Sequence, residues 1–335
     1  MRAKDVTIQD VARLANVSPG TVSNVLGGRK TVREESRVAV LKAVAELGYQ
    51  SDPAASYLRS GRSRVVAALV PDLENPFFTA FVAAVERGCQ RDGYELFVAS
   101  SEQDQQVETR RLRSLLQWRP AAFFVMPTGE SLAARAELEA AEIPYAVADR
   151  LLSGEGFDYV GLDNRVAGRE AAQHLIELGH RRLAVCAPLL SVGNIRERIE
   201  GIQTALASAG APAPLLVETG QDHAGPFQFP FPLPQGMTGC IALTNFTTLQ
   251  VLGALIRAGL DVPRDVSLVG FDDYAWMTVA SPSITAIRQP IARMGERVWQ
   301  MLGDRIAAAD AEPAHERFAP ELIVRESTAR AKTGG

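Results

Sequence analysis

The 335 residues are 47% apolar and 22% charged with a net charge of −4, the balance of an ordinary soluble protein with enough chain for roughly two or three domains. That charge excludes a uniformly basic nucleic-acid coat, but it is unevenly placed. Residues 1–64 hold 11 Lys+Arg against 6 Asp+Glu (+5), leaving 24 against 33 (−9) for the rest, so polyanion binding is expected at one end only. Cys89, Cys186 and Cys240 are isolated in apolar surroundings without metal-ligand spacing, and read as small core residues of a reducing compartment. MRAKDVTIQD lacks the apolar stretch of a signal peptide, and no apolar run approaches a membrane span. A cytoplasmic protein with no membrane partner is expected.

In chain order, Val6–Leu26 (VTIQDVARLANVSPGTVSNVL) predicts two short amphipathic helices around a tight turn. Thr7 and Asp10 suit a capping box, and Ile8, Val11 and Leu14 fall on one face. Asn16 tolerates the positive φ of a turn, Ser18 is a strong N-cap, and Pro19 fits the first helical position. Val22, Val25 and Leu26 face the first helix. That leaves Pro19, Gly20, Thr21, Ser23 and Asn24 outward, a small polar face that suits a DNA major groove or an ordinary surface hairpin. Glu34–Leu47 predicts a third helix with Val38, Leu41 and Ala45 inward, Val44 beside them and Gly48 as its stop. Residues 51–62 carry too little apolar surface to hold a helix alone, and read as a tether or a segment ordered by a partner.

From Arg64 the pattern alternates strands and helices in two rounds. The first runs through strands at Val65–Val70, Tyr94–Ala99, Ala121–Met126, Pro144–Ala148 and Asp158–Leu162. The second has strands at Arg182–Ala187, Leu215–Glu218, Cys240–Thr244, Val266–Phe271, Ile284–Arg288 and about Leu322–Arg325. Apolar, non-alternating strands imply two doubly wound parallel sheets with helices on both faces, and ligands of such sheets gather beyond the carboxyl ends of the strands. Asp149, Asn245 and Asp272 lie at those ends, and Arg198 can join them. Four prolines between Pro226 and Pro234 exclude a helix there.

These motifs together resemble the LacI/GalR family of bacterial transcriptional regulators over essentially the whole chain. The headpiece signature is joined by LVPDLENPFF (69–78), VGLDNRVAGREAAQHLIELGHRRLAV (160–185), RERIEGIQTAL (196–206), VPRDVSLVGFDD (262–273), SITAIRQP (283–290) and PELIVRES (320–327). The resemblance implies a helix-turn-helix headpiece (1–50), a hinge helix (51–63) and a periplasmic-binding-protein-like core (64–330). The core would have one subdomain of about 64–162 and 291–318, and a second of about 163–290 and 319–330. It implies a homodimer on a near-palindromic operator, with a small effector in the core.

By position, the resemblance gives Asp149, Arg198, Asn245 and Asp272 as effector contacts and places Phe77 and Phe78 on the first subdomain's pocket wall. The alternatives are turn aspartates and plain core aromatics. Trp276 either stacks on a sugar or packs at the rim. On the DNA side, Thr7, Ile8, Ser18, Pro19, Gly20, Thr21, Ser23 and Asn24 fall on headpiece contact positions, and Leu58, with Ala55 beside it, on a minor-groove wedge. Pro19-Gly20 offers no long side chain, so direct base reading rests mainly on Asn24. Arg33 stands where the third helix normally has a Ser or Thr cap, leaving Thr31 to cap, and Asp52 brings a negative charge to the hinge.

The reading is a repressor of double-stranded operator DNA, answering a sugar, sugar acid or nucleoside, without a cofactor. A periplasmic solute-binding protein would need an export signal where the helix-turn-helix stands. An enzyme would need a nucleophile–base pair, a metal cluster or a phosphate loop; His174, His180, His223 and His315 sit in no such motif.

Overall fold

In the computed structural model, residues 6–26, 32–49, 63–220, 236–308 and 312–332 are described. The hinge, with Ala55 and Leu58, lies outside them, as do Thr31, His223 and the proline-rich segment. The chain divides into two compact units, Met1–Arg64 and Val65–Gly335.

The first unit begins with α1 (Ile8–Leu14), α2 (Pro19–Leu26) and α3 (Glu34–Leu47). Thr7 and Asp10 form the capping box, the Thr7 N–H donating to the Asp10 carboxylate at 3.0 Å. Asn16 turns the chain at φ 52°. Ser18 Oγ accepts from the Thr21 N–H at 3.1 Å and starts α2. Gly48 ends α3 at φ 61°, a conformation glycine adopts without steric cost. The Arg33 side chain makes no cap bond.

Val11, Ala12, Val22, Val25, Val40 and Ala43 form the core. This corrects the expected faces. Leu14 points outward, and Val38 and Leu41 are 58% and 52% exposed; Val40 and Ala43, with Val44 and Leu47, pack inward instead. In EESRVAVLKAVAEL apolar residues surround more than half of the helix, so spacing fits either face and contact with α1 and α2 decides.

The second unit contains two six-stranded sheets. The first alternates β1 (Val65–Val70), α4 (Pro76–Arg91), β2 (Glu95–Ser100), α5 (Gln105–Leu116), β3 (Ala122–Val125), α6 (Arg135–Ala140), β4 (Tyr145–Ala148) and β5 (Asp158–Leu162). The chain then leaves through α7 (Asn164–Glu177) for β6 (Leu183–Ala187), α8 (Gly193–Ser208), β7 (Leu215–Glu218), β8 (Gly239–Ala242), α9 (Asn245–Arg257), β9 (Ser267–Phe271), α10 (Ala275–Val279) and β10 (Thr285–Arg288). It returns through α11 (Ile291–Ala307) and β11 (His315–Phe318), and ends on β12 (Glu321–Ile323). The strand orders are β11-β5-β4-β3-β1-β2 and β12-β10-β9-β8-β6-β7. All pairs are parallel except β10 with β12.

Neither β11 nor α10 was expected from the pattern: HERF alternates weakly, and AWMTV is barely one helical turn. α4 and α11 cover one face of the first sheet through Phe78, Phe81, Met294 and Trp299; α7 and α8 cover one face of the second. α7 and α8 touch along their backbones. A Cβ on Gly168 would overlap the Arg198 carbonyl, and one on Gly201 the Arg165 carbonyl, so these glycines set the depth at which Arg198 sits. Cys89, Cys186 and Cys240 are buried as expected. The last two are not isolated, however: their Sγ atoms lie 3.7 Å apart on neighbouring strands.

His180 anchors the C-terminal segment. Its Nε2 faces the Ala329 carbonyl at 3.0 Å and its Nδ1 the Thr238 hydroxyl at 2.7 Å. Since a carbonyl only accepts, the neutral ring carries its proton on Nε2. His174 meets Thr328 at 2.9 Å. Burial lowers the pKa of both rings, so on acidification the unfolded chain takes up protons first. Their stabilising contribution is full above about pH 6.5 and is lost as pH falls through the lowered folded values. The melting temperature of the core is therefore expected to fall on going from about pH 7.5 to 5.5 by circular dichroism, and to fall less in His180→Gln; identical slopes would show that His180 does not contribute to the pH dependence.

Candidate effector cleft and DNA-reading helix

Within the second unit, the carboxyl ends of the strands and the N-termini of the following helices surround one cleft. Phe77 and Phe78 border it together with Asp149, Arg198 and Asp272. The aromatics stand in the first turn of α4, whose start is fixed by Asn75 Oδ1 accepting from the Phe77 N–H at 3.0 Å. Both rings are also buried in the first sheet's core, edge-to-face at 5.3 Å. They are at once wall and core.

Asp149 ends β4 at φ 65° and is 5% exposed. Asn194, at the start of α8, donates Nδ2 to its carboxylate oxygens at 3.1 and 3.2 Å. Burial pushes the Asp149 carboxyl pKa up, against the pull of Arg150 and Arg198. Asp272 follows β9 at φ 80°. Its Oδ2 accepts from the Asn245 N–H, the first of α9, at 2.9 Å, and its Oδ1 from Gln289 Nε2 at 2.6 Å. A carboxylate at a helix N-terminus is held by both the free N–H and the helix dipole.

Arg198 reaches the cleft from α8. Its Nε donates to Asn164 Oδ1 at 2.9 Å, its Nη1 to the Leu243 carbonyl at 2.5 Å, and its guanidinium lies 4.5 Å from the centre of the Phe271 ring. Burial lowers its pKa, opposed by Asp272 and Asp149. The residue also lines the cleft.

Asn245 and Trp276 are placed differently. The Asn245 side chain is turned away from the cleft: its Oδ1 accepts from Trp276 Nε1 at 2.7 Å. The Trp276 ring packs on the core under β8 and β9 and does not border the cleft. Asp272 and Asp273 both have positive φ, and this turn carries the following residues away from the strand end.

Sequence reasoning missed Arg150, Asn194 and Gln289, all on the cleft. Arg150 Nη1 donates to the Thr128 carbonyl at 2.6 Å, tying the segment after β3 to the end of β4. Behind it, Glu108, 1% exposed, accepts from the Thr128 N–H at 2.6 Å. Gln289 immediately follows β10, so the strand-end rule that selects Asp149 and Asp272 selects it equally. Arg150 Nε, Asn194 Oδ1 and Gln289 Oε1 are buried without a hydrogen-bond partner among the described residues.

In the first unit, α2 presents Ser18, Pro19 and Gly20 exposed at its N-terminal end, with Thr21, Ser23 and Asn24 half-buried beside them. Ser18 Oγ and Thr21 Oγ1 lie 2.9 Å apart. Ile8 is half-buried against the core, and Thr7 is engaged in the cap.

A helix-turn-helix unit followed by a two-sheet α/β core with a polar cleft defines the class of protein. Residues 7–52 match bacterial regulatory proteins of the lacI family. Residues 63–225 match the periplasmic binding proteins and sugar binding domain of the LacI family, and residues 172–328 a periplasmic binding protein-like domain. The HTH-type transcriptional regulator PtxS of Pseudomonas putida is 31% identical over 326 residues, 96% of each chain. GalR of Escherichia coli is 32% identical, over 96% of this chain and 95% of that one. Among solved structures, the transcriptional regulator CelR in complex with cellobiose superposes with a TM-score of 0.70 at 28% identity, over 96% of this chain and 99% of that one. The chain belongs to the LacI family of bacterial regulatory proteins. No helix among the described residues is long and apolar enough to cross a membrane.

Proposed function

We propose that this protein is a homodimeric repressor that binds a near-palindromic operator through α2 and the hinge, and releases or tightens its grip when a sugar or sugar derivative occupies the core cleft. The observation that carries the reading is the origin of the cleft groups. Asp149 comes from the first sheet and Arg198 and Asp272 from the second, so a ligand there engages both lobes and can bias their relative position. The cellobiose bound by CelR supports a sugar.

The small outer face of α2 sets the mode of reading: phosphate contact and close approach by Ser18, Thr21 and Ser23, with Asn24 suited to adenine. Homodimerisation is supported by apolar side chains left in solvent. Leu249 and Ile256, 51% and 62% exposed, stand seven residues apart on α9, and Phe97 meets Trp118 edge-to-face at 6.1 Å, the kind of surface a second copy covers. Selection of bound sites from a random duplex pool, followed by gel shift at fixed salt, is expected to return two inverted half-sites. Leu58→Ala and Asn24→Ala should each lower affinity about tenfold. Recovery of a single asymmetric site, or of no sequence preference, would contradict the reading.

A further inference from the structure

We propose that Cys186 and Cys240 together form a binding site for one thiophilic divalent cation that takes two ligands in a line, mercuric ion being the type. Cys186 lies on β6 and Cys240 on β8. Both are 0% exposed, and their Sγ atoms are 3.7 Å apart. The proposed control of the operator makes no use of them. Their surroundings are apolar and soft, with Met237 and Met277 in the same cluster.

The sheet register decides what the pair can do. Cys186 stands beside Ala242 and Cys240 beside Ala184, so the two cysteines share a face but are offset by two residues along parallel strands. At ~3.3 Å of rise per residue and ~4.8 Å between strands, their Cα atoms are about 8 Å apart. A disulfide takes Cα atoms no more than about 6.8 Å apart, so joining the sulfurs directly would have to shift one interior strand along the other. Moving the sulfurs apart needs only side-chain rotation. Two metal–thiolate bonds of about 2.3 Å in a line set them about 4.6 Å apart, a span that suits such widely anchored side chains.

Charge selects the ion. The contact with Cys240 and burial raise the Cys186 thiol pKa, so without a metal it stays protonated near neutral pH. Only the thiolate ligates, and two bare thiolates in an apolar core would be costly. A divalent ion displaces both protons: two S–H bonds break, two S–metal bonds form, and two protons leave to water. The product is neutral. A monovalent ion such as Cu(I) would leave one net negative charge buried. Structural zinc takes four ligands, and among the described residues no group of three His, Cys, Asp or Glu is placed to hold a metal.

The test is titration of the reduced full chain with mercuric chloride, with time allowed for local opening to admit the ion, followed by challenge with a monothiol. Wild type and Cys89→Ala are each expected to retain one ion per chain, and Cys89→Ala to release two protons for it. Cys186→Ala and Cys240→Ala, checked for folding by circular dichroism, should lose their ion at about tenfold or more lower monothiol concentration. Diamide treatment of the folded chain, read by peptide mass spectrometry, should leave Cys186 and Cys240 unlinked. No retained ion in wild type, one proton released instead of two, or equal retention in Cys186→Ala or Cys240→Ala overturns the inference. So does a Cys186–Cys240 disulfide formed in the folded chain. The proton count and the diamide result decide the matter even if neither of the last two variants folds.

Discussion

Val22→Asp is expected to abolish specific operator binding, lowering affinity by at least about a hundredfold, while the core melts as in the wild type. Val22 is 0% exposed and stands in a core of six small side chains, none larger than valine. A three-helix unit of that size is marginally stable to begin with. An unpaired carboxylate in its centre costs several kcal/mol, more than such a core can absorb. The sheets carry separate apolar clusters, so their cooperative transition is expected to persist. Circular dichroism melting and gel shift on the same preparation check both halves. Retained operator affinity would show that α2 does not depend on this core, or does not do the binding.

The second large effect is expected at Arg198. Arg198→Met should lower the melting temperature of the core by about 6–12 °C, from roughly 3 kcal/mol or more of lost stability at about 2–4 °C per kcal/mol. Methionine fills much of the space and stacks on Phe271, but it strands Asn164 Oδ1 and the Leu243 carbonyl, both former acceptors of the guanidinium. It also removes the cation that offsets Asp149 and Asp272. Removing one partner of a buried charged cluster is far costlier than replacing the whole cluster with apolar groups. The variant should lose sugar binding as well, since Arg198 lines the cleft. An unchanged melting curve with intact sugar response would put Arg198 outside both roles.

Much of this was legible in the residues because the signals were local. Thr7, Asn16, Ser18 and Gly48 each do what their chemistry favours, since caps and turns depend on a few adjacent atoms. The buried strands were plain from VVAALV and SLVGF, where a parallel sheet covered on both faces demands continuous apolar runs. Strand ends pointed to Asp149, Asn245 and Asp272, with Arg198 able to join them; Asp149, Arg198 and Asp272 border the cleft, and the Asn245 side chain turns to Trp276 instead. What was not legible depends on direction. Val38 and Leu41 against Val40 and Ala43 is a choice of helix face that α1 and α2 make. Trp276 lies four residues past Asp272, and after two positive-φ residues it packs against the core, away from the cleft. Gln289 and Asn194 are ordinary polar residues until the carboxylates opposite them fix which end of each amide faces inward. β11 was missed because it joins the first sheet only after the chain has built the second.

In the proposed function, one chain couples the cleft to the operator. Its most direct test is a titration of a selected operator at fixed salt, with and without a saturating cleft sugar, paired with a titration of the sugar with and without operator. Sugar is expected to move the operator Kd by about tenfold or more, and operator to move the sugar Kd by the same factor, because coupling between two binding sites is reciprocal. Equal operator affinity with the cleft empty and demonstrably filled would contradict it.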